Sequence, residues 1–283
     1  MILGAITASW GFIMVFTLPS SPQSAVFLNA SQRKVAVARI RLEQVTEETR
    51  TIKLYQVFET LQDPKTWLIC IATYCIHFIN GACSRFGSII VKSFGYSPTK
   101  SVLVTGCAGL YLLGVMAITG TAANYFGSAR TIIWGVCEVV VIIGAAIIWK
   151  VEWASDHSAA LVGFFLLLTF PPAYTMLLSL VGSNTAGYTK KVFTMGLVWV
   201  VYCVANGTAP LFIEITEVQE HYPTLFKGAL TTASVSVFYS TAMRLYLTYA
   251  NKKRDQDLEA AIQEGAIAAD LTDRENPHFR YAL

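Results

Sequence analysis

The chain has 283 residues, of which 54% are hydrophobic and only 14% charged, with a mean hydropathy of +0.50. A water-soluble domain carries about a quarter charged residues, so this composition excludes a chain that lies mostly in water. A net charge of +3 is too small to argue for a nucleic-acid binder, so the distribution of charge matters more than its sum.

Met1–Leu18 is apolar and reads as the trailing part of a membrane helix, with further chain expected before it. It lacks the basic start of a signal peptide, and Pro19-Ser20-Ser21-Pro22 follows in place of a cleavage site. Pro19–Lys65 is the longest polar stretch and holds seven cations, Arg33, Lys34, Arg39, Arg41, Arg50, Lys53 and Lys65. Val35, Ala38 and Leu42 recur at helical spacing behind Ser31. Leu54, Val57, Phe58 and Leu61 form a second short amphipathic pattern that ends before Pro64. The stretch is expected to be a cytoplasmic linker, either lying along the membrane surface or solvated.

Six apolar runs of crossing length follow: Thr66–Ser84, Ser101–Thr121, Thr131–Trp149, Ala159–Val181, Val192–Ile213 and Ala229–Ala250. Asn251–Leu283 is a polar tail. If the linker is cytoplasmic, the turns before Arg130 and Lys191 and the tail are cytoplasmic too. That side then holds 15 of the 21 cations, against Lys92, Lys100, Lys150 and Lys227 in the opposite loops. This positive-inside bias sets the orientation and makes Lys190 and Lys191 an interfacial anchor. The expected domains are therefore 1–18, the end of a membrane helix; 19–65, the linker; 66–250, a six-helix bundle; and 251–283, a cytoplasmic tail. Six spans after a long loop fit two inverted three-helix units.

All six cysteines, Cys70, Cys75, Cys83, Cys107, Cys137 and Cys203, lie in or beside apolar runs, without a C-x-x-C pair or a Cys/His cluster. They read as small buried hydrophobes, with no metal site, cofactor or disulfide framework. No Ser/His/Asp set or phosphate loop stands out, so an enzyme is not expected.

The first full span puts Tyr74, His77, Gly81 and Ser84 on one helix face, with Asn80 beside it. Such a polar face either lines a cavity, where His77 contacts an anion or relays a proton, or makes interhelical hydrogen bonds. Met195, Trp199, Tyr202 and Asn206 form another stripe at helical spacing, and Asn206 is a buried amide in need of partners. Pro171-Pro172 interrupts its span, and Tyr174 follows. Pro210 removes a backbone donor near the end of its own span. These three prolines are candidate hinges or static bends. Glu138 and Arg244 lie at similar depths in two spans and are expected to pair, as a structural ion pair or a proton-coupling site, because unpaired charges there are costly.

Several segments together resemble the fungal allantoate permease family, an anion:cation symporter branch of the major facilitator superfamily. They are Asn80-Gly81 with Phe86-Gly87 and Phe94-Gly95-Tyr96; Asn184-Thr185-Ala186-Gly187-Tyr188-Thr189-Lys190-Lys191; Tyr202-Cys203 with Ala205-Asn206 and Ala209-Pro210-Leu211-Phe212; and Leu271-Thr272-Asp273 running to Asn276 and Phe279-Arg280-Tyr281. Cys107-Ala108-Gly109 departs from the family's Pro-Gly pattern, and the Ala123–Arg130 loop lacks the Asp of the superfamily's gating motif.

The resemblance implies an all-α membrane protein, the C-terminal six-helix half of the superfamily fold plus the end of the sixth helix. It implies a multi-pass protein of the plasma membrane that carries a small organic anion or vitamin-like nutrient with protons by alternating access. His77, Asn80, Tyr174, Tyr202 and Asn206 are its candidate substrate contacts. The first half, or another chain, is the expected partner alongside the lipid bilayer. The other reading is a truncated, non-transporting membrane remnant that only packs with other helices.

Overall fold

The computed structural model describes residues 2–19, 24–25, 27–42, 51–153, 155–261, 271–276 and 278–283. The middle of the expected linker and residues 262–270 of the tail lie outside them. Chain contacts divide the molecule into two compact units, Met1–Glu48 and Thr49–Leu283. The first unit holds α1 (Ile2–Thr17), which carries no charge, and α2 (Ala30–Leu42), which opens one residue ahead of Ser31.

The second unit is built from α3 (Leu54–Gln62), α4 (Pro64–Ser93), α5 (Pro98–Tyr125), α6 (Arg130–Lys150), α7 (His157–Leu167), α8 (Phe170–Asn184), α9 (Tyr188–Thr208) and α10 (Pro223–Ala261). Among the described residues there is no strand, and the protein has an all-α membrane fold. Helix starts follow local chemistry. Asp63 accepts from Lys65 N at 3.1 Å with Pro64 next in line, Ser97 accepts from Lys100 N at 3.4 Å ahead of Pro98, and Asp156 accepts from Ala159 N at 2.9 Å. In each case a side-chain oxygen satisfies an amide that the first turn leaves unpaired, and proline there forfeits no helical bond.

Among the described residues five helices or helix pairs are long and apolar enough to cross a bilayer: Pro64–Ser84, Pro98–Tyr125, Arg130–Lys150, His157–Asn184 and Tyr188–Phe212. The sixth expected span lies within α10, which has the length but not the same hydropathy, because Thr, Ser, Tyr and Arg244 interrupt it. Two of its polar groups turn inward. Ser236 and Ser240 are buried, and the Trp134 indole of α6 donates to Ser236 Oγ at 3.0 Å. The span expected over Ala159–Val181 is two helices, broken at Leu168–Thr169 immediately before Pro171-Pro172.

α4 is the hub and packs against α5, α8, α9 and α10, while α6 packs against α7, α8 and α10. The difference shows in burial: 72% of the apolar window of α4 is inside, against 6% for α5. α6 and α7 meet backbone to backbone. A Cβ on Gly144 would lie 2.5 Å from Leu167 N and 2.7 Å from Gly163 O, so only glycine admits this crossing.

Candidate functional site: a polar cavity between α4, α5, α8 and α9

The side of α4 that faces α5, α8 and α9 borders a cavity of about 520 Å³. Its wall carries His77, Asn80 and Ser84 of α4, Tyr174 of α8, and Trp199 and Tyr202 of α9. Four of the five candidate contacts, His77, Asn80, Tyr174 and Tyr202, thus come together from three helices. Asn206 stands one turn beyond Tyr202 and joins through a hydrogen bond. Asn80 Nδ2 donates to Asn206 Oδ1 at 2.9 Å, Ser84 Oγ donates to Asn80 Oδ1 at 2.9 Å, and Asn206 Nδ2 donates to the Tyr202 carbonyl at 2.8 Å. This chain of bonds fixes the Asn80 amide at the cavity edge.

His77 is 3% exposed. Its ring meets Tyr174 and Tyr202 edge-on, with centroids at 4.1 Å and 4.4 Å, and Phe170 at 6.3 Å. Among the described residues neither ring nitrogen of His77 has a hydrogen-bond partner, and neither has the Tyr174 hydroxyl. Three unpartnered polar atoms on one cavity wall are unusual, because buried polar groups are normally satisfied. They are suited to an anion or another ligand with acceptor atoms.

Glycine sets how closely the cavity helices approach. A Cβ on Gly81 would lie 2.9 Å from both Ala209 Cβ and Asn206 Cα and 3.0 Å from Asn206 O. Below this contact, toward the start of α4, Tyr74 and Thr208 hydroxyls are 3.1 Å apart. The α4 face read from the sequence therefore divides its work: His77, Asn80 and Ser84 line the cavity, while Tyr74 and Gly81 seat α9. Pro171 and Pro172 open α8, and Pro171 borders the cavity. Pro210 does not kink a continuous helix. It stands in the 3-10 turn Ala209–Phe212, where α9 has already ended.

The pairing expected between Glu138 and Arg244 is not formed. Arg244 Nη1 donates to the Ser128 carbonyl at 2.8 Å and to Thr131 Oγ1 at 3.1 Å, while Glu138 is 1% exposed and its Oε1 has no hydrogen-bond partner among the described residues. Thr131 and Glu138 are seven residues apart on α6, about 10 Å along the axis, so a guanidinium bound at the first does not reach the second.

A second polar cluster lies at the opposite end of α4 and was not read from the sequence as a site. Lys190, expected as an interfacial anchor, is fully buried, and so is Lys65. Asp273 of the tail bridges them, 2.7 Å from Lys65 Nζ and 2.8 Å from Lys190 Nζ. Lys190 also reaches Glu59 at 2.8 Å and Asp63 at 3.0 Å. Burial alone would raise the Asp273 carboxyl, but Lys65 and Lys190 outweigh it and hold the group down at about 2. The Tyr281 hydroxyl donates to Asp273 at 2.9 Å, and burial, reinforced by that carboxylate, pushes the phenol up. α3 completes the cluster: Gln56 Oε1 accepts from Lys190 N at 3.1 Å, against Gly187, whose φ of +86° suits glycine. The signals were the Asp in the tail and the paired lysines after Gly187, but no sequence rule joins residues so far apart.

No family model matches the chain, and no solved structure matches it. Relatives do. It is 29% identical over 297 residues to allantoate permease of Saccharomyces cerevisiae, covering 100% of this chain and 54% of the permease. It is 28% identical over 286 residues to the thiamine pathway transporter of the same yeast, covering 99% of this chain and 53% of that protein. An MFS-type transporter of Penicillium expansum is 27% identical over 285 residues, 99% of this chain and 58% of that one. The chain spans about half the length of the curated relatives it matches. Along its whole length the chain is thus similar to fungal major-facilitator-type transporters, allantoate permease among them.

Proposed function

We propose that the chain is the carboxyl-terminal half of a secondary transporter that carries a small organic anion or vitamin-like nutrient with protons by alternating access. The cavity between α4, α8 and α9 carries this reading, because it brings an imidazole, a phenol and an anchored amide to one wall inside an apolar bundle. The relatives named for allantoate and for the thiamine pathway support a small polar cargo. The remaining length of those relatives, or another chain, supplies the facing wall, since substrate sites of such folds lie between two halves. Binding and conformational change suffice for this activity, so no catalytic residue or cofactor enters.

His77 is the group proposed to take the coupled proton. A neutral imidazole donates through one nitrogen, whereas the protonated ring donates through both and adds a positive charge for an anion. Asn80 orients the substrate, with Tyr174 and Tyr202 closing on it and Asn206 holding the amide. The breaks at Pro171-Pro172 and Pro210 give α8 and α9 ends that can swing. The bias of cations supports a cytoplasmic tail and linker; a bundle in the plasma membrane, α1 as the end of the sixth span and residues 19–65 as the central linker complete the proposal.

The test is uptake by permease-deficient yeast expressing a full-length polypeptide that contains this chain. Labelled allantoate and a panel of vitamin-like anions are supplied at several external pH values. Saturable uptake that rises with external acidity, falls at least tenfold in Asn80→Ala, and loses its pH dependence in His77→Gln is expected. Uptake that is absent for every anion, or unchanged by both substitutions, overturns the reading. The 283-residue chain alone is expected to transport nothing; saturable uptake from it in liposomes refutes the need for a facing half.

A further inference from the structure

The terminal segment Leu271–Leu283 is held as a bound peptide is held. Two asparagines clamp its backbone by reciprocal pairs. Asn251 Nδ2 donates to the Tyr281 carbonyl at 2.8 Å while Tyr281 N donates to Asn251 Oδ1 at 2.9 Å. Asn184 does the same for Ala282, donating to its carbonyl at 2.8 Å and accepting from its amide at 2.6 Å. Arg254 donates to the carbonyls of Asp273 and, at 2.6 Å, of Phe279. The amide of Arg130 donates to the Leu283 carbonyl at 3.3 Å. These contacts read backbone, and they come from α6, α8 and α10.

Three side chains of the segment are read individually. Phe279 and Tyr281 are buried, the latter against the Arg254 guanidinium at 4.5 Å from its ring centroid. Asp273 is the anchor. It enters between Lys65, in the first turn of α4, and Lys190, in the first turn of α9. Without Asp273, Lys190 keeps Glu59 and Asp63, while Lys65 keeps the Asn184 carbonyl but has no carboxylate nearer than Asp63 at 3.8 Å. The two lysines it joins belong to the two helices that carry His77, Asn80 and Tyr202.

We propose that this end of the bundle is a peptide-binding groove whose ligand is the chain's own terminal segment, and that occupancy of the groove clasps the starts of α4 and α9 and restricts entry to the cavity from that side. The chemistry of the ligand is a short stretch bearing a carboxylate and, six and eight residues later, two aromatic rings. The clasp rests on the cavity described above but not on transport through it. Filled, the groove holds the two helices together through Asp273. Emptied, it leaves Lys65 short of a carboxylate and the two first turns joined only through Lys190 and Asp63.

The test reads the clasp without a substrate. A cysteine-free version of the full-length polypeptide that contains this chain, carrying Ser84→Cys, is reconstituted, and a membrane-impermeant maleimide is supplied from the side bearing the tail. Asp273→Asn is expected to speed labelling at least tenfold. Adding a synthetic peptide of residues 271–283 is expected to restore the slow rate saturably, and the same peptide with its own Asp273→Asn is not. If Asp273→Asn does not fold, the double variant Asn184→Ser, Asn251→Ser removes the backbone clamps and leaves the charges paired, and it is read in the same way. Labelling unchanged by the substitutions, or accelerated but not restored by the peptide, overturns the clasp. Neither outcome touches the uptake assay, so this proposal and the transport reading fail separately.

Discussion

Gly81 sets the separation of the helices that form the cavity, and replacing it measures that contact. In Gly81→Ala the new methyl lies 2.9 Å from Ala209 Cβ and Asn206 Cα and 3.0 Å from Asn206 O. Carbon atoms rest at about 3.5–4.0 Å, so α4 and α9 must part by roughly 0.5–1 Å. None of the three atoms is the free end of a flexible side chain, so the strain is not relieved locally. Overpacking of this kind costs about 1–3 kcal/mol. The same displacement stretches the 2.9 Å bond between Asn80 and Asn206, a further loss of about 1 kcal/mol. Alanine's better helix propensity returns about 1 kcal/mol, which leaves a net loss of about 1–3 kcal/mol. Gly114 of α5 is the control, because nothing lies within 4 Å of a Cβ there; Gly114→Ala is expected to be neutral or slightly stabilising. The assay is thermal unfolding of the purified chain in detergent with a thiol-reactive dye. Cys70, Cys75, Cys83 and Cys137 are buried and report unfolding, while exposed Cys107 and Cys203 set the baseline. Equal midpoints for Gly81→Ala and Gly114→Ala refute the close approach of α4 and α9.

Three further outcomes are expected. Asp273 has its carboxyl lowered to about 2 from an ordinary 3.8. A depressed carboxylate stabilises fully above its unfolded value and loses that contribution as pH falls through the folded one. Docking of the tail therefore weakens by about 2 kcal/mol between pH 4 and pH 2, and hydrogen exchange at Phe279–Ala282, corrected for intrinsic rates, should rise across that window. Protection that persists to pH 2 contradicts the ion pairing. Ser236→Ala leaves the buried indole N–H of Trp134 unpaired and should cost about 1–3 kcal/mol, whereas the double variant Ser236→Ala, Trp134→Phe should cost less than the sum of its singles. Glu138→Gln and Arg244→Gln should change folded yield independently, because the two side chains do not meet. A coupling above about 0.5 kcal/mol in the double-mutant cycle restores the ion pair.

The membrane spans were legible because a bilayer imposes length and hydropathy on each helix by itself. The cavity face of α4 was legible for a related reason: His77, Asn80 and Ser84 repeat at helical spacing, and polar groups inside a membrane bundle face inward. The break before Pro171 was visible in the double proline. Pro210 was misjudged as a kink because position within a run does not reveal where hydrogen bonding has already ended. Glu138 and Arg244 illustrate a sharper limit. Depth counted from the helix ends gives height but neither azimuth nor the direction a guanidinium takes, and Arg244 reaches toward Ser128 and Thr131. The cluster at Asp273 was invisible for want of any local signature, since it joins residues more than 200 positions apart. Lys65 and Lys190 look like surface cations until the tail folds over them.

The most direct measurement is the accessibility of the cavity wall. In a cysteine-free background, Asn80→Cys is placed in the full-length polypeptide in sealed membrane vesicles and treated with a membrane-impermeant maleimide. Access from one or both faces, slowed saturably by a transported anion, is the predicted result. An Asn80→Cys thiol that stays inert from both faces, while a cysteine placed at exposed Glu152 in the α6–α7 loop reacts, contradicts a substrate cavity between α4, α8 and α9.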